Sequence, residues 1–165
     1  MKKKFLICLL VVISLFLFTS CTTKKESYTK NSKDIEKEKN EYINYVHRLK
    51  KVKKSTEDLP FTVEVKYEKM DNEIRYQVII DNPKENIKDI KAVAIHNMQT
   101  DDVFPSVGIF DKKVNLIPNK KPSGVILVGY FPYKKDIEKL DIEMKVLISY
   151  KIDNNKYTAY YLTKK

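Results

Sequence analysis

The chain reads as mainly β: an antiparallel, immunoglobulin-like β-sandwich of seven to eight strands preceded by one amino-terminal α-helix. Three observations carry that reading. Between residues 32 and 54 apolar residues recur at helical steps, with neither Pro nor Gly. From residue 59 the period of the pattern drops to two. The period-two runs are then divided by Pro, Asn and Asp turns at intervals of roughly 8–12 residues or somewhat longer, the spacing of a sandwich or barrel. The cysteine–tryptophan–cysteine signature of antibody domains is absent, and a small closed barrel also fits the pattern.

In the helix, Ile35, Tyr42, Tyr45, Val46, Leu49 and Val52 fall on one stripe. Asn31 or Ser32 can cap it, with Asp34, Glu36 and Glu38 near the positive end of the dipole and Arg48, Lys50, Lys51, Lys53 and Lys54 near the negative end. Such a stripe needs a cover. The following β-domain is the first choice; a bare stalk awaiting a partner and a helix lying on a membrane are the others.

Leu59-Pro60 marks the boundary of the β-rich body, residues 59–165. Phe61, Val63, Val65 and Tyr67 alternate with Thr62, Glu64, Lys66 and Glu68. Ile74, Tyr76, Val78 and Ile80 form the buried face of the next strand, which Asp81-Asn82-Pro83 stops. A third strand is expected over Ile90–Asn97 and a less regular one over Val103–Phe110, with Lys112–Ile117 a short run. Val125–Phe131 is apolar on both faces, as for a central strand. One helical turn over Asp136–Leu140 precedes a strictly alternating strand from Ile142 to Tyr150, a hairpin loop at Asp153-Asn154-Asn155, and a final strand over Lys156–Leu162.

Ahead of all this, Lys2, Lys3 and Lys4 precede the apolar run Phe5–Phe18, which gives way to Thr19-Ser20-Cys21. That is the layout of an export signal, and the run falls short of the ~20 residues a spanning helix needs. The ending Phe18-Thr19-Ser20-Cys21 resembles the lipobox of bacterial lipoproteins, with Phe18 where the family most often has Leu. The resemblance covers this segment alone. It implies residues 1–20 as a signal peptide, Cys21 as the lipidation site and first mature residue, and a cell-membrane location on the extracytoplasmic face. A diacylglyceryl group supplies two chains, enough for stable attachment. Residues 21–31 then read as a flexible tether, whose ten residues after Cys21 reach roughly 17 Å as a coil. Richness in Lys, Ile, Asn and Tyr, taken with the lipobox, resembles low-GC Gram-positive bacteria.

Removing the signal leaves 145 of 165 residues, one ordinary domain, and lowers the formal charge from +10 to +7 with the loss of Lys2, Lys3 and Lys4. Both cysteines, Cys8 and Cys21, belong to the signal and lipobox, so the body has no disulfide, Cys–zinc or Cys-nucleophile chemistry. His47 and His96 lie in different elements without a zinc-binding spacing. Ser106 lacks the preceding glycine of a nucleophile elbow. Asp101-Asp102, with Asp111, is the one place to consider calcium, and paired aspartates in a turn are usually turn residues. The tyrosines near the end build strands before they build a stacking platform, and Trp is absent. The reading therefore assigns no catalytic residue, metal or cofactor, and nucleic acid is not an expected partner.

A positive balance outside the cell points instead to anionic neighbours. Lys112, Lys113, Lys120, Lys121, Lys134 and Lys135 could form a basic rim at one end of the sandwich, where loops of such folds bind ligands. The expectation is a membrane-anchored, non-catalytic binding or accessory module for a protein or an anionic envelope polymer. A protective surface lipoprotein that excludes phage or toxin is the alternative, and an envelope enzyme ranks third.

Overall fold

The computed structural model describes residues 31–120 and 124–165. The residues read as signal peptide and tether, Cys21 among them, lie outside these apart from Asn31, as does Lys121. The helix, α1, spans Ser32–Lys51. Strands follow as β1 (Thr62–Lys69), β2 (Glu73–Asp81), β3 (Ile87–His96), β4 (Ser106–Val107), β5 (Val114–Leu116), β6 (Val125–Pro132), β7 (Glu143–Ile152) and β8 (Asn155–Lys164), with one 3-10 turn at Ile137–Lys139. The mainly β reading holds: the strands form two antiparallel sheets, one ordered β1-β2-β6, the other β4-β3-β7-β8 with β5 also paired to β3.

Alternation explains the main core. Ile74, Tyr76, Val78 and Ile80 of β2 meet Ala92, Ala94, Met144, Val146 and Ile148 of the other sheet, with Leu127 and Phe131 of β6. A second core lies on the outer face of the larger sheet. There Tyr45 and Leu49 of α1 pack on Val93 and Ile95 of β3 and Leu147 of β7. The stripe of the helix from Tyr42 to Leu49 is thus covered by the β-domain, the first of the three expectations, while Ile35 stays exposed. The Asn31 side chain accepts from the Asp34 N–H as its N-cap.

The helix is shorter than expected. It closes at Lys51, where the Val52 N–H donates to the Leu49 carbonyl, Val52 turns extended, and the Lys145 ammonium donates to the Val52 carbonyl, so residues 52–54 leave the helix. The next stretch shields the edge of β8: the Thr56 N–H donates to the Tyr160 carbonyl, and the Tyr160 N–H donates to the Thr56 hydroxyl.

Other boundaries move for equally local reasons. β3 starts at Ile87 rather than Ile90, because a bulge places Asp89 at φ +54° and pairing resumes before it. The run expected over 103–110 keeps only Ser106–Val107 in the ladder, and Lys112–Ile117 only Val114–Leu116. Gly108, at φ +71°, lies so close to the Ile90 carbonyl that no side chain would fit. β8 is longer than expected at both ends.

The largest departure concerns β6. Its expected two-sided burial fails: it is an edge strand, with Val125, Leu127 and Phe131 inward and Ile126, Val128 and Tyr130 exposed. The strands with both faces covered are β3 and β7, since α1 roofs the face that alternation alone would leave wet.

Candidate functional site

The five described lysines of the expected rim do not come together; Lys121 lies outside the described residues. Lys112 and Lys113 precede β5, and Lys120 closes the turn after it through its N–H to the Ile117 carbonyl. Lys134 and Lys135 follow β6. β6 pairs from Val125 opposite Ile80 to Pro132 opposite Glu73. Eight strand residues separate the two groups by roughly 25 Å. In an antiparallel sheet, loops before and after one strand fall at opposite ends.

A different basic feature forms where α1 hands over to the sheet. An open groove of about 540 Å³ is lined by Lys53, Lys54, Glu143, Lys145, Thr163 and Lys164, among others. The residues after α1 make one wall, and the paired start of β7 and end of β8 make the other. Glu143 stands opposite Lys164 in that pairing, and its carboxylate is shared: Oε1 lies 2.9 Å from the Lys145 ammonium and Oε2 lies 3.1 Å from that of Lys164. Hydrogen bonds from Lys145 and then Lys164 hold the Glu143 carboxyl below its usual range.

Lys145 also donates to the Val52 carbonyl at 2.9 Å, which fixes the wall. Lys53 and Lys54 are exposed and have no acidic partner among the described residues. Four ammonium groups therefore face one carboxylate. A smaller cavity of about 170 Å³ continues from the shared Glu143 and Lys145 towards Lys50 and Asn97. The arrangement can neutralise a multiply charged anion, but it holds no activated nucleophile and no paired acid and base.

The other candidates have structural roles. His47 is exposed on α1. His96 is buried among the rings of Tyr76, Phe104 and Phe131, with centroids 4.9–5.2 Å away. Burial pushes its pKa down, opposed only in part by the Met98 backbone. The Asp111 carboxylate accepts the Gly108 N–H at 2.5 Å, which makes it a turn residue. Among the described residues no group of three or more His, Cys, Asp or Glu could hold a metal ion. Nor is any described helix long and apolar enough to cross a membrane.

Sequence reasoning read Lys53 and Lys54 as helix-end charges and missed the groove. Its signal was the density of lysines after Leu49; what was lacking was the register that brings Glu143 and Lys164 beside them.

No family model matches the chain, and neither does any curated protein or solved structure.

Proposed function

We propose that the chain is a lipoprotein anchored through Cys21 on the outer face of a bacterial membrane, acting there as a non-catalytic binding module for an anionic envelope polymer. One observation supports the ligand class: the groove sets Lys53, Lys54, Lys145 and Lys164 against the single carboxylate of Glu143. A phosphate-rich polymer fits an open cationic groove better than a small molecule does, since it gains from several ammonium groups at once.

The fold also suits presentation. Glu41 of α1 pairs with Lys91, which stands opposite Ser149, whereas the Val52 carbonyl meets Lys145, four residues back along β7. The helix runs antiparallel to β7, so the groove lies at the end away from the helix N-terminus. Twenty residues at 1.5 Å each put about 30 Å between the tether side and the groove.

Retention on immobilised poly(glycerol phosphate) tests the reading. The mature chain should be retained at low salt and released as salt rises. A Lys53→Gln/Lys54→Gln variant should elute earlier, and a Lys134→Gln/Lys135→Gln variant should behave as the parent. Salt-insensitive retention, or equal loss in both variants, rejects the groove as the site. Intact mass of the protein recovered from cells checks the anchor: a chain that starts elsewhere than Cys21, or carries no acyl groups, rejects it.

A further inference from the structure

The opposite end of the larger sheet carries an arrangement that folding alone disfavours. Lys88 of β3 stands directly opposite Lys151 of β7, which stands directly opposite Lys156 of β8. Three like charges in cross-strand register repel one another. Lys113 joins them from the start of β5. The one carboxylate among them is Asp89, whose Oδ2 lies 2.8 Å from the Lys151 ammonium and 3.5 Å from that of Lys113. Asp89 sits there because the bulge holds it at φ +54°, a conformation that costs a non-glycine residue.

The helix points its N-terminus at this same end. Its Glu41 pairs with Lys91 at 2.5 Å, and from there to Ser32 the helix continues about 14 Å towards the hairpin. Asn31, where the described residues begin, therefore lies on the lysine side of the sheet.

We infer that the Lys88–Lys151–Lys156 row docks on the anionic phospholipid headgroups of the membrane that holds the anchor, standing the sandwich with its β7–β8 hairpin down and its groove outward. The inference rests on the lipid anchor at Cys21 of the proposed function. Charge complementarity and the side at which the tether joins both favour this occupant. A headgroup layer also offsets the repulsion along the row, which Asp89 alone leaves incomplete.

The test uses acylated protein reconstituted in vesicles of phosphatidylcholine, with or without phosphatidylglycerol. A fluorophore is placed at the hairpin in an Asn154→Cys variant or at the far end in an Asp71→Cys variant, and energy transfer to a headgroup acceptor is read. With phosphatidylglycerol, the hairpin label should transfer strongly and the far label weakly; the contrast should shrink in phosphatidylcholine alone. Each Lys→Gln change at Lys88, Lys151 or Lys156 should reduce the docked-to-undocked ratio roughly five-fold.

Equal transfer from both labels in anionic vesicles overturns the orientation. A contrast as large in phosphatidylcholine alone as with phosphatidylglycerol, or unchanged in the Lys→Gln variants, overturns the headgroup assignment. Absence of acyl groups on the protein from cells sinks the anchor itself, whereas an acylated chain with a remote hairpin label sinks only the docking.

Discussion

The ring of Tyr76 lies across Gly129, its direct partner on the neighbouring strand, filling the space where a side chain at residue 129 would stand. Tyr76 is 1% exposed, and burial pushes its phenol pKa up. A glycine in the middle of an apolar strand weakens the strand, but here its missing Cβ lets a large ring into the core beside Phe131 and His96.

Gly129→Ala should therefore overpack the core rather than stiffen the strand, costing about 1–3 kcal/mol in chemical denaturation. A neutral or stabilising result would mean that the ring can swing aside.

Leu49 is fully buried between α1 and the larger sheet. Leu49→Ala should cost about 2–5 kcal/mol and loosen the helix from the sheet. Helical circular dichroism lost ahead of the β signal on heating would show the second core opening separately; a single coincident transition would show one cooperative unit.

The buried His96 sets a pH dependence. Its pKa in the fold lies below the ordinary 6.5, so the unfolded chain takes up the proton first as pH falls. Stability should be level above pH 6.5, decline as pH falls below it, and stop declining on this account once the folded-state value is passed. Asp89 and Glu143, both held below their usual values of 3.8 and 4.5, add an acid loss that begins only near those values. A His96→Phe variant should lose the first decline and keep the second, measured by melting temperature across pH.

Asp89→Asn keeps a side chain that tolerates positive φ but removes the charge between Lys113 and Lys151. The melting temperature should fall at low ionic strength and recover as salt screens the exposed lysine row. A loss unchanged by salt would assign the effect to geometry instead.

On the open edge strand β6, Val128 faces solvent. Val128→Lys should change stability by no more than about 0.5 kcal/mol while slowing aggregation of heated protein, read by light scattering.

Much of this architecture was legible in the residues themselves. Alternation at Ile74–Ile80 named the buried face of β2, because a strand side chain has only two directions to point. The caps and stripe of residues 31–49 named α1, because a helix end and face are local matters. The boundary at Leu59-Pro60 and the hairpin at Asp153 were equally local.

What distant contacts impose was not legible. Val125–Phe131 is apolar enough for a central strand, yet it lies at an edge, because strand order depends on pairings that the run does not encode. Leu147 stands among polar residues on one face of β7, a face that only the packing of α1 makes a second core.

The sequence by itself determined the period of each element, the lipobox-like start and the surplus of positive charge, all properties of neighbours along the chain. Only the tertiary structure decided where that charge collects. Lys120 and Lys134 part because β6 runs between them. Lys53 lines one groove with Lys164 because the residues after α1 run beside β8, and Lys88 meets Lys151 and through it Lys156 because cross-strand register joins residues far apart along the chain.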